Sequence, residues 1–84
     1  MKSKSTMWEA VDKAVSSAID KSISDNANFR DLEVALSHVR NAMTNAHNTE
    51  ELVAYISTGD LFVQQSEDYT RFMRRVVIRL RLTA

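Results

Sequence analysis

The stretch RFMRRVVIRLRLTA, Arg71 to Ala84, holds five arginines and no acidic residue, and it admits two folds. Read at a period of two, Ile78, Leu80 and Leu82 alternate with Arg79 and Arg81, as in a half-buried strand. Read at 100° per residue, Tyr69, Phe72, Met73, Val76, Val77 and Leu80 make one apolar face, and arginines 71, 74, 75, 79 and 81 fill an arc of roughly 160° opposite. A strand needs a partner strand, and none is visible elsewhere in the chain. The helical reading therefore stands, and with it an all-α fold.

Composition points the same way. The 84 residues include one Gly and no Pro, whereas a sandwich or barrel needs a turn roughly every 8 to 12 residues, built mostly from Gly, Pro, Asn or Asp. A chain this short reads as one domain over residues 1–84 that buries about 60 to 65% of its unfolded surface, so its core is thin and a second copy or a partner would support it. With no Cys, no disulfide or thiolate–metal framework can do so.

Working back from the arginine helix, the expected element covers residues 61–81, kinked or broken near Ser66, which can cap a fresh start ahead of Glu67 and Asp68. Before it, Asn48 with Glu51 repeats a capping-box spacing and predicts a short helix over 49–57. Gly59 then suits the left-handed residue past a helix end, and Asp60 can cap the next helix. Phe29, Leu32, Leu36, Val39 and Met43 share a face and predict a helix over 28–46, capped by Asn28 or Asn26. Ala35, Ala42 and Ala46 on its flank permit close approach of another helix. The first helix should span 6–23, opened by the Thr6 and Glu9 capping box, with Met7, Trp8, Val11, Ala14, Val15, Ala18, Ile19 and Ile23 on an arc of roughly 180°. Trp8 reads as a core anchor, Asp12 as the solvated edge of that stripe, and residues 1–5 as a flexible leader. Short links between these segments predict a small antiparallel bundle of about four helices.

No catalytic constellation emerges. His38 and His47 lie nine positions apart, on different faces of or just beyond the second helix, and neither is placed to activate a serine. His47 falls at a helix C-terminus, where the helix dipole favours positive charge. Metal-binding spacings are missing, as are a phosphate loop and any cofactor motif. The carboxylate pairs Glu50/Glu51 and Glu67/Asp68 sit in expected first helical turns, where negative charge is stabilising. Neither an export signal nor a run of about 18 to 20 apolar residues is present, and a cytoplasmic location is expected.

The formal charge of zero conceals an asymmetry. Lys2, Lys4 and the five C-terminal arginines carry +7, and the segment between them carries −7 from eleven acids set against Lys13, Lys21, Arg30 and Arg40. The arginine face could dock on protein, follow a phosphate backbone, or lie on a membrane surface. Ile78 decides among them, because an isoleucine ringed by guanidinia resembles an interface anchor with a charged rim. The expected function is thus that of a non-enzymatic, homo-oligomeric regulator or inhibitor, of the kind a phage or mobile element carries, that binds a protein through Arg71, Arg74, Arg75, Ile78, Arg79 and Arg81. A nucleic-acid-binding regulator using the same arginines is the alternative.

Overall fold

Three capping side chains punctuate the chain. In the computed structural model, which describes residues 4–59 and 66–83, the helices are α1 (Lys4–Ser24), α2 (Phe29–Asn45), α3 (Thr49–Gly59) and α4 (Glu67–Thr83). Asn28 Oδ1 accepts from the amides of Arg30 (2.9 Å) and Asp31 (3.3 Å) at the head of α2. Asn48 Oδ1 accepts from Glu51 (2.9 Å) at the head of α3, and Ser66 Oγ from Tyr69 (3.1 Å) at the head of α4. Each cap satisfies amides that have no partner inside the helix.

The end of α1 is set by Asn26. Its φ of 59° is left-handed, and around it the Asn26 amide donates to Ile23 O (3.0 Å) and the Ala27 amide to Ser22 O (2.9 Å). This is a Schellman closure, and Asn is the side-chain-bearing residue best suited to the conformation. Asn26 thus ends α1, while Asn28 begins α2.

All four helices converge on a single core. Tyr69, Phe72, Met73, Val76 and Leu80 of α4 are each at most 2% exposed, and they pack with Met7, Val11, Ala14 and Ala18 of α1, Leu32, Ala35, Val39, Ala42 and Met43 of α2, and Leu52 and Ile56 of α3. The most extensive packing is between α1 and α4, whereas α1 meets α2 and α3 only marginally. Numbering rises along α1 as it falls along α4 in the contacts Ser17–Arg79, Ser22–Arg75 and Asn28–Asp68, so the two run antiparallel. Small Ala35, Ala42 and Ala46 are buried, as their spacing anticipates.

The helical bundle is the one expected, with local departures. The α1 helix begins at Lys4, two residues before the expected start, so Thr6 lies inside the helix rather than at its cap and Lys4 and Ser5 belong to it rather than to a leader. The α3 helix runs through Gly59, which is its last helical residue instead of a left-handed one beyond it. The described α4 starts at Glu67 behind Ser66, and it continues through Thr83, which removes the strand reading of residues 77–82. The expected cap Asp60 and the start at Leu61 lie outside the described residues. Trp8 (53%), Ile23 (50%) and Phe29 (68%), expected in the core, are exposed. The buried stripe of α1 is narrower than the expected arc because the helix packs mainly on α4.

Because an L-residue in the left-handed helical region is strained by about 1 to 2 kcal/mol, Asn26→Ala should lower stability by about 1 kcal/mol, whereas Asn26→Gly should hold it within a few tenths. Urea denaturation checks this. Equal effects of the two substitutions would mean that α1 does not end at a conformationally demanding residue.

Candidate functional site

The arginine face of α4 is divided by its neighbours into parts with different partners. Arg75 and Arg79 turn toward α1. One guanidinium nitrogen of Arg75, Nη1, donates to Ser22 Oγ at 3.0 Å, and Nη2 pairs with Asp25. Arg79 Nη2 donates to Ser17 Oγ at 3.0 Å. Arg71 pairs with Glu67 one turn earlier on its own helix. Arg81 lies on the other side of α4 beside Thr49, Glu50 and Val53 at the head of α3, and Arg74 is exposed.

Ser22 explains why Arg75 is fixed. It is 1% exposed and continues the buried register of Val11, Ala14 and Ala18, so its hydroxyl is shut off from bulk solvent. A buried hydroxyl needs a hydrogen-bond partner, and the Arg75 fork supplies one while its second nitrogen reaches the carboxylate of Asp25. One side chain therefore ties α4 to two residues at the end of α1.

Beside Arg75 and Arg79 the surface is apolar. Ile78 is 57% exposed and Leu82 76% exposed, one turn apart on α4. Together with Ser17, Ala18, Lys21, Arg75 and Arg79 they line a groove of about 230 Å³ along the α1–α4 seam. That volume is below the roughly 300 to 1,000 Å³ typical of small-molecule sites. A shallow apolar track rimmed by cations instead matches the shape of a docking surface for a helix or extended segment.

Of the six residues singled out from the sequence, Arg75, Ile78 and Arg79 come together in this groove. Arg71 is placed one turn before Arg75 on the same face of α4, whereas Arg74 is exposed outside the groove lining and Arg81 borders α3. Sequence reasoning missed Ser17, Lys21, Ser22, Asp25 and Leu82. Ser22 was findable, since it stands four positions after Ala18 and fifteen after Met7 in the buried register. Leu82 lies one residue beyond the expected helix end, and only the longer α4 sets it one turn from Ile78.

The other candidate groups remain apart. His38 meets Tyr69 edge to face with ring centroids 6.3 Å apart. His47 lies just past α2, and both its amide (3.0 Å) and its Nδ1 (3.1 Å) approach Glu51 Oε1. Glu51 thus caps one residue further back than the Asn48 capping box implies. The His47 amide first, and its ring second, hold the Glu51 carboxyl below its ordinary range. Among the described residues, no three His, Cys, Asp or Glu side chains gather in a way that could hold a metal ion, and no helix is long and apolar enough to cross a membrane. Asp12 is exposed on the flank of α1, as its position at the stripe's edge anticipates.

These contacts make two outcomes measurable. Arg75→Ala leaves the Ser22 hydroxyl buried without its partner and should destabilise by about 1 to 3 kcal/mol, while Arg74→Ala should stay within about 0.5 kcal/mol; similar denaturation midpoints for the two would remove the anchoring role of Arg75. A depressed carboxyl stabilises above its unfolded pKa and loses that contribution as pH falls through its folded one. Glu51→Gln should therefore melt below wild type at neutral pH, with the gap closing in acid below the ordinary carboxylate range. A gap unchanged in acid would assign the loss to something other than the charge.

No protein-family model, curated protein or solved structure matches the chain. The residues and their geometry alone carry the functional reading.

Proposed function

We propose that the chain is a non-enzymatic regulatory or inhibitory protein that acts by binding another protein through the α1–α4 groove, and that it also self-associates. The observation that carries this is the exposed pair Ile78 and Leu82 lining one groove with Lys21, Arg75 and Arg79. Large apolar side chains at the centre of a charged rim are where binding energy concentrates, because the rim excludes water around them. The rim is cationic, so the partner surface that fits is acidic and amphipathic, and a helix laid along the seam would place apolar residues at one-turn spacing on Ile78 and Leu82. A cytoplasmic setting suits a chain without cysteine.

Nucleic acid is the second reading, favoured by Arg74 and Arg81, whose side chains face solvent. Against it, Arg71 and Arg75 are already matched to carboxylates of the chain itself, which lowers the number of cations available to a phosphate backbone.

Affinity capture from the native host with cross-linking separates the two. A partner protein should be retained by wild type, cross-link to Lys21, and be lost with Ile78→Asp while helical content is unchanged. Retention undiminished by Ile78→Asp would overturn the docking reading. Binding to duplex or single-stranded nucleic acid that falls steeply with salt and weakens in Arg74→Ala and Arg81→Ala would replace it with the second.

A further inference from the structure

We infer that self-association uses a different surface: the groove between α1 and α2, closed by a second copy about a two-fold axis, with Asp12 of each copy meeting Arg40 of the other. This rests on the self-association proposed for the chain and is independent of the arginine face.

The groove exists because the two helices do not close on each other. They form an antiparallel hairpin through the short Asp25–Asn28 link, yet α1 leans on α4 and approaches α2 only marginally. What remains between them is an open track of about 210 Å³ that includes Trp8, Val15, Leu36 and Met43, with Asp12 and Arg40 at its rim. Helical spacing carries the same flanks onward to Ile23 on α1 and Phe29 on α2, which are 50% and 68% exposed. Trp8, Ile23 and Phe29 are the exposed apolar residues of these flanks, while Val15 and Leu36 are partly buried against the core and Met43 is buried in it. Indole is among the side chains most enriched where interfaces concentrate their energy.

Charge selects the occupant. The rim carries one acid and one base, so neither a strongly acidic nor a strongly basic partner is favoured over the other. Among the described residues the side chains of Asp12 and Arg40 form no ion pair or hydrogen bond, with each other or with anything else. A two-fold interface presents the same patch twice, so that if residue i of one copy meets j of the other, j also meets i. A patch with one unpaired acid and one unpaired base is self-complementary under that operation, giving two ion pairs across a buried tryptophan pair. Stacking two hairpins also completes a four-helix layer. The single chain, whose smallest Cα extent is 17 Å, supplies only part of such a layer.

The test is sedimentation velocity on the full chain over a concentration series. Wild type should reach twice the 9.6 kDa chain mass. Asp12→Arg sets guanidinia against guanidinia across the axis, and Arg40→Asp sets carboxylates against carboxylates. Each alone should weaken dimerisation by about tenfold or more, with helical content retained because both positions are exposed. An equimolar mixture of Asp12→Arg with Arg40→Asp pairs opposite charges at every contact and should restore the dimer. Trp8→Lys should dissociate it independently of the charge pair. Ile78→Asp, which removes partner capture at the α1–α4 groove, should leave the dimer mass unchanged. A wild type that stays monomeric throughout, or a dimer that survives both single charge reversals, or a mixture that stays monomeric, would overturn the inference.

Discussion

Every described helix packs on α4, and α4 is held against α1 by the guanidinium of Arg75, which serves the buried Ser22 hydroxyl with one nitrogen and the Asp25 carboxylate with another. Directional hydrogen bonds fix register in a way that apolar contact alone does not. Apolar side chains could slide past one another with small changes in buried area, but a one-turn slip would strand the Ser22 hydroxyl. The constraint is local in energy and global in effect, because the position of α1 on α4 sets what the other helices can cover.

The same constraint leaves part of the apolar surface uncovered. Three helices surround α4, and α1 is committed to it so fully that its other flank faces a gap toward α2. The buried residues Met7, Val11, Ala14, Ala18 and Ser22 mark the side turned to α4. Trp8 and Ile23 fall toward the opposite flank by helical geometry. A thin bundle cannot bury both flanks of every helix, and for a chain of this length the apolar excess must lie on the surface or between copies.

The helical class, the four segments and most of the core were legible because caps and periodicity are local properties. Asn28, Asn48 and Ser66 each announce a helix start through the chemistry of one side chain, and α4 shows its buried face in Phe72, Met73, Val76 and Leu80 without help from its neighbours. Legibility failed where the answer depended on which helix packs where. Trp8 and Phe29 are apolar and correctly spaced, yet whether they are covered is decided by a neighbour's position rather than by their own sequence. The same holds for the arginines. Spacing placed five of them on one face, but only the fold shows that Arg75 and Arg79 are turned toward serines of α1 while Arg81 borders α3. Ser22 illustrates the reverse case: a polar residue in the buried register, whose tolerance there becomes intelligible only when Arg75 arrives from 53 residues away.

The anchoring duty of Arg75 also bears on how the α1–α4 groove meets an acidic partner. Its guanidinium is already matched to Ser22 and Asp25, so a carboxylate arriving from outside would have to displace Asp25 and would gain little net attraction. Lys21 and Arg79 both line the same groove and are exposed, and Arg79 donates to the Ser17 hydroxyl. Such a partner would meet Lys21 of α1 in the lining that also holds Ile78 and Leu82. One arginine of the pair holds the fold, and the other stands at the surface of the groove.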